Sequence, residues 1–144
     1  MNRFWQNWLT IWAAGVTIFG LVLAGGAFAA TDGLTRMLFE LFGMPIPAQP
    51  DAHHRFAIGL MGAVTMGWGL TYFATFKALH ALPSDHAAPT WRFILFASFV
   101  WYAIDSWISV ATGFWMNAIS NTLLLVMLLI PLLGSGMLSG KANA

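Results

Sequence analysis

The chain has 144 residues, 59% of them hydrophobic and only 8% charged, against about 25% charged in an ordinary soluble domain, so this inventory does not cover a water-facing surface. A formal charge of +1 excludes the basic footprint of a nucleic-acid partner. With no cysteine, disulfide frameworks, thiolate metal sites and cysteine nucleophiles are excluded as well.

A spanning helix needs about 20 apolar residues to cross a hydrocarbon core of about 30 Å. Three stretches meet that length: Arg3 to Asp32, Arg55 to Lys77, and Arg92 to Lys141, the last interrupted by Asp105 alone and long enough for two crossings. The expected fold is all-α, an integral membrane four-helix bundle forming a single domain over residues 1–144, with spans near 8–30, 56–77, 92–112 and 117–138.

In the first span, Arg3, an apolar stretch and "AFAA" resemble a secretory signal. The apolar run exceeds the usual 7 to 15 residues of such signals, so a true span is expected. Ala13, Thr17, Gly20, Ala24 and Ala27 give it a smooth face at alternating steps of four and three, the kind of surface through which helices approach closely in lipid. The connection that follows is the longest on its side. Within "TDGLTRMLFELFG", Leu34, Met37, Leu38 and Leu41 share one helical face, and Arg36 and Glu40 are spaced i,i+4, which predicts a short interfacial helix. Gly43 ends it, and "MPIPAQP" runs extended because each proline disfavours helix in the residue before it.

The second span offers Gly59, Ala63, Gly67 and Thr71 at successive steps of four as its smooth face. In "KALHALPSDHAAPTWR", Pro83 and Ser84 stop that helix, and Pro89 and Thr90 precede the third. The third span carries Ser98, Tyr102, Asp105, Ser109 and Thr112 at steps of four, three, four and three, a single polar seam. A turn within "TGFWMN", centred near Trp115, sets Ser109 opposite Ser120 and Asn121 and brings Asn117 near Thr112. The remainder of the fourth span, "LLLVMLLIPLL", is expected to face lipid. Trp5, Trp8, Trp91 and Trp115 lie near span ends, where indoles settle at headgroup level, while Trp68, Trp101 and Trp107 lie deeper and either line a cleft for a hydrophobic ligand or, as expected first, pack.

Asp105 is the costliest residue in the chain. It lies about 10 Å below the end of its span, at 1.5 Å per residue, where a charge costs roughly 3 kcal/mol. Either the carboxyl is protonated and donates to Ser109 or a neighbouring carbonyl, or it is ionised and meets Arg55 reaching inward from the second span. The candidate polar site is therefore Asp105, Ser109, Tyr102, Asn121, Arg55 and His54, with Gly20, Ala24, Gly59, Ala63 and Gly67 as helix-packing residues. His53, His54 and Arg55 together either anchor their helix in the headgroups or form a polar site facing outward. No histidine lies in mid-span, which argues against an intramembrane bis-histidine haem. "HALPSDH" is too loosely spaced for a metal signature, so no metal is expected. Phosphate-cradling loops, histidine pairs one turn apart within a span, and serine nucleophile elbows are absent from the sequence.

The glycine-rich first span, the "LFELFGMPIPAQ" connection, the glycine-rich "HHRFAIGLMGAVTMGWGL" and the closing "SWISVATGFW" hairpin occur in an order similar to that of the DoxX-like group of small four-helix bacterial membrane proteins. The resemblance runs over most of the chain. It implies a compact bundle acting as an accessory membrane subunit in the bacterial inner membrane, and it carries no catalytic residue across. Asp105 departs from it, because no fixed acid is expected there. Arg3, Lys77, Arg92 and Lys141 fall on one side of the membrane and Arg36 and Arg55 on the other, so both termini are expected to be cytoplasmic. The expected function is a non-enzymatic accessory or assembly subunit that packs against other membrane-protein subunits or itself and holds lipid or a lipophilic cofactor. The alternative is a small proton-coupled carrier or channel centred on Asp105.

Overall fold

The computed structural model describes residues 2–139; Lys141, counted in the charge bias above, lies outside them. The described chain is all-α: α1 (Arg3–Gly25), α2 (Gly33–Leu41), α3 (Ala52–His80), α4 (Ser84–Ala111) and α5 (Trp115–Gly134), followed by a short 3-10 turn at Met137–Ser139. Helices α1, α3, α4 and α5 are long and apolar enough to cross a membrane. This is a multi-pass membrane protein with the four membrane-length helices of a four-helix bundle, and α2 occupies the place expected for the short interfacial helix.

Several boundaries differ from the sequence expectation, each for a local reason. Helix α1 covers 3–25 rather than 8–30 because the chain tightens at its end: Gly26 N–H donates to the Leu23 carbonyl at 2.9 Å, and the Thr31 hydroxyl donates to the Gly25 carbonyl at 2.7 Å. Such short-range bonds satisfy the last carbonyls of a helix. Helix α3 starts at Ala52 because Asp51 caps it, its Oδ1 accepting from the His54 backbone N–H at 2.8 Å. Helix α4 starts at Ser84 with Pro89 inside it; so near the end, a missing N–H leaves only one carbonyl without its helical partner.

The chain divides into two compact units, one formed by residues up to Trp12 together with Ala74 onward, the other by Ala13–Phe73. In the second unit α1 and α3 run antiparallel at close backbone approach. A methyl group on Gly20 would overlap the Met66 backbone, and one on Gly62 would overlap that of Ala24. Gly59 lies against Ala27, and Gly69 against Thr17. The α1 face is as expected from Thr17, Gly20, Ala24 and Ala27. The α3 face is not: Ala63 is exposed and Gly67 has nothing beside it. At 3.6 residues per turn each step of four overshoots by about 40°, so 59, 63, 67 and 71 wind off the contact. The true seam takes Gly59, Gly62, Met66 and Gly69 at steps of three, four and three. Helix α2 is pinned beneath by Thr35, fully buried, whose hydroxyl donates to the Val22 carbonyl.

In the first unit the antiparallel α4–α5 hairpin is joined by the start of α1 and the end of α3. Leu9, Trp12, Phe76, Trp91, Leu128 and Leu132 are buried in it. Trp91 is 1% exposed and stacks on Phe76 at 5.3 Å, so it is a core residue and not a headgroup anchor. Pro131 lies inside α5, and the N–H it lacks would have bonded the Met127 carbonyl one turn earlier. Trp8 replaces that donor. Its Nε1 donates to the Met127 carbonyl at 2.8 Å, and Trp12 Nε1 does the same to the Leu124 carbonyl at 2.9 Å. "LLLVMLLIPLL" therefore has one side covered by α1, contrary to the expectation that it faces only lipid.

Trp8→Phe should lower stability by about 1–3 kcal/mol by leaving that carbonyl unsatisfied. In a Pro131→Ala background, where an N–H returns to the helix, the same substitution should lose most of its effect. Denaturant unfolding of the four proteins in mixed micelles reads the cycle; equal effects in both backgrounds would contradict the proline assignment.

Candidate functional site

The polar site is built by the α4–α5 hairpin. Helix α4 places Asp105 and Ser109 one turn apart on one face, and α5 places Asn117 and Asn121 one turn apart on the face opposite. The connection between them is short because Gly113 adopts φ +86°, a conformation glycine takes without steric penalty, while Phe114 N–H closes back on the Ser109 carbonyl at 2.7 Å.

Three donors converge on a single carboxyl oxygen. Asn121 Nδ2 donates to Asp105 Oδ1 at 2.7 Å, Asn117 Nδ2 at 2.8 Å and Ser109 Oγ at 3.3 Å. Ser109 Oγ also reaches the Asp105 backbone carbonyl at 2.7 Å and accepts from Asn117 Nδ2 at 2.9 Å. Asn121 and Ser109 are buried, at 6% and 5% exposure, while Asp105 is half-buried. Its other oxygen, Oδ2, takes no hydrogen bond among the described residues and is not closed off from the surface. The carboxyl is thus a fixed acceptor, one oxygen saturated and the other open.

The hairpin register differs from the expected one by a turn. The rungs are Asp105 with Asn121 and Ser109 with Asn117, which centre the hairpin on Gly113 rather than Trp115. Tyr102 stands at the next rung, its hydroxyl 3.1 Å from Thr122 Oγ1. Asp105, Ser109 and Asn121 are therefore brought together as expected, with Tyr102 flanking them. The expected register sets Asn117 near Thr112, whereas it meets Asp105 and Ser109; the sequence carries the signal, since Asp105 and Ser109 are four apart, as are Asn117 and Asn121, which is the pattern of two facing rungs.

Arg55 and His54 are engaged elsewhere. Arg55 Nη1 and Nη2 donate to Asp32 Oδ2 at 3.3 Å, and Nη1 also reaches the Gly26 carbonyl at 3.3 Å. His54 sits exposed in the first turn of α3. The expected ionic partner of Asp105 thus belongs to a hub at Asp32, which the sequence reading missed. Arg36 pairs with Asp32 at 3.0 Å, in place of the expected Glu40, and its guanidinium donates to the Pro47 carbonyl at 3.0 Å and the Ala48 carbonyl at 3.3 Å. One buried carboxylate, 8% exposed, so ties the α1–α2 turn, α2, the extended proline run and α3 into a unit. The Arg36 hydrogen bond, assisted by the charge of Arg36 and by Arg55, holds the Asp32 carboxyl below the ordinary value of 3.8 against the opposing effect of burial.

An apolar groove of about 310 Å³ lies between α1 and α2, lined by Ile18, Phe19 and Val22 on one side and by Leu34, Met37 and Leu41 on the other. Its lining is almost entirely apolar, a surface that hydrocarbon covers without leaving a polar group unpaired. Among the described residues no group of three His, Asp or Glu is placed to hold a metal. No protein family, curated protein or solved structure matches this chain.

Two outcomes follow from this geometry. Asn121→Leu should lower stability by about 1–2 kcal/mol, whereas Ser120→Ala should be neutral; the reverse order in denaturant unfolding would contradict the register. For Asp32, a lowered folded-state value means that its contribution is complete well above pH 3.8 and is lost as pH falls below 3.8 through the lowered value. The stability gap between the wild type and Asp32→Asn should therefore be full at neutral pH and close in strong acid, as thermal melts across pH would show.

Proposed function

We propose that this chain is a non-enzymatic accessory or assembly subunit of the bacterial inner membrane, with kinship to the DoxX-like group. It packs against a larger membrane complex or against itself and holds a lipid or lipophilic molecule. Both termini face the cytoplasm in this reading, in keeping with the lysine and arginine distribution.

The observation that carries the proposal is the Asp105 carboxyl, fixed on one side by Asn117 and Asn121 and open on the other. A polar group held rigidly within a span and offered at the chain's surface suits helix–helix recognition, because in lipid such contacts are what distinguish one apolar helix from another. Trp107, Ile104 and Ile108 on the same helix are 74%, 57% and 54% exposed. The α1–α2 groove supports the lipophilic half of the reading.

The carrier reading draws on the same open oxygen, which a proton could occupy. Gentle extraction from native membranes into polymer discs, followed by mass measurement, separates the two. An assembly larger than the monomer, with retained lipophilic molecules, is the expected result. A lone monomer carrying nothing would overturn the proposal. So would pH-dependent flux into vesicles that disappears in Asp105→Asn, which would instead make the chain a carrier.

A further inference from the structure

The open oxygen of Asp105 also says what kind of group should meet it. Among the described residues no cation pairs with Asp105, and between Arg92 and Lys141 the sequence has no lysine, arginine or histidine. Arg92 lies 13 residues before Asp105, about 20 Å along α4 at 1.5 Å per residue, and its Nε is taken by the Leu138 carbonyl at 2.9 Å. Arg36 and Arg55 both serve Asp32. Among the described residues, neutral amides and a hydroxyl are thus the partners given to an acid placed where a charge costs roughly 3 kcal/mol.

We propose that Asp105 Oδ2 is the docking point for a lysine carried at matching depth by a transmembrane helix of a different membrane protein. This rests on the accessory-subunit reading and names the chemistry of the partner.

A second copy is a poor occupant. Its apolar runs, from Arg3 to Asp32, from Arg55 to Lys77 and from Arg92 to Lys141, contain no lysine, arginine or histidine between those bounds, so it brings no cation at matching depth to meet Asp105. Lysine is favoured over arginine by the count of free oxygens. Arginine binds carboxylates best through a fork that takes both oxygens, and here Oδ1 already accepts from Asn117, Asn121 and Ser109. One open oxygen suits the compact ammonium of lysine.

The chain has no cysteine, so Asn2→Cys provides one clean labelling position for energy transfer in phosphatidylcholine vesicles. The probe is a synthetic leucine-rich spanning helix with a single lysine about 10 Å from one end, compared with helices bearing leucine, arginine or glutamate at that position. The lysine helix should associate about 10-fold more tightly than the leucine helix, the arginine helix less tightly than the lysine one, and the glutamate helix no better than leucine. Asp105→Asn, which keeps an oxygen for Asn117 and Asn121, should reduce the lysine helix to the leucine level while leaving helix content and elution unchanged. Equal binding of the lysine and leucine helices, or a lysine preference that survives Asp105→Asn, overturns the inference. If that happens while native extraction still yields a larger assembly, the accessory reading stands and only the lysine contact falls; a lone monomer in native extraction removes the accessory reading itself.

Discussion

The hydrocarbon core contains no water to satisfy a polar group, and the organisation of this chain follows from that constraint. The small hydroxyls of the spans obey it locally. Thr10, Thr17, Thr65, Thr71, Ser98, Ser109, Thr112 and Thr122 each donate to the carbonyl four residues back, so each hydroxyl proton is satisfied within its own helix. Pro131 cannot be handled locally, and Trp8 is brought from another helix to satisfy the carbonyl it strands. Asp105 is handled by two asparagines and a serine across a hairpin. The two buried side-chain atoms left without a partner among the described residues, His80 Nε2 and Ser135 Oγ, belong to the last residue of α3 and the residue after α5, where a helix leaves the hydrocarbon.

The two units answer the same constraint by different chemistry. In residues 13–73, glycines and alanines let two backbones touch, and the one buried acid, Asp32, is neutralised by two arginines next to the α1–α2 turn. In the other unit the contacts are made by large aromatics, indole donors and amides. Asp32 is fully compensated within its unit. Asp105 has donors but, among the described residues, no counterion, and that difference between two acids of one chain points to the second as the functional one.

Much of the architecture was legible because it depends on composition and period. Runs free of charge gave the four long helices, the face at Leu34, Met37, Leu38 and Leu41 gave α2, and alternate steps of three and four located the α1 seam. What was missed depended on geometry that period alone does not contain. A regular step of four in α3 pointed to Ala63 and Gly67, whereas the antiparallel crossing with α1 selects Gly62 and Gly69. The hairpin centre was set two residues late because the aromatic turn signal outweighed Gly113, and that displaced Asn117 and Asn121 by a rung. Arg55, one of the two alternatives for Asp105, instead meets Asp32, which lies 23 residues away in sequence and becomes its neighbour only once α1 turns at Gly26. Trp8 looked like an interfacial residue, since only its pairing with the residue one turn before Pro131 reveals a structural role.

The Asp105 clasp is tested most directly by the side-chain amide protons of Asn117 and Asn121, observed by nuclear magnetic resonance of the chain in lipid nanodiscs. If both amides are held on one carboxyl oxygen, their protons resonate away from free asparagine and exchange slowly with water, and both features disappear in Asp105→Ala. Side-chain amides that exchange as fast as free asparagine in the wild type, or that are unchanged by Asp105→Ala, would contradict the clasp and the functional reading built on it.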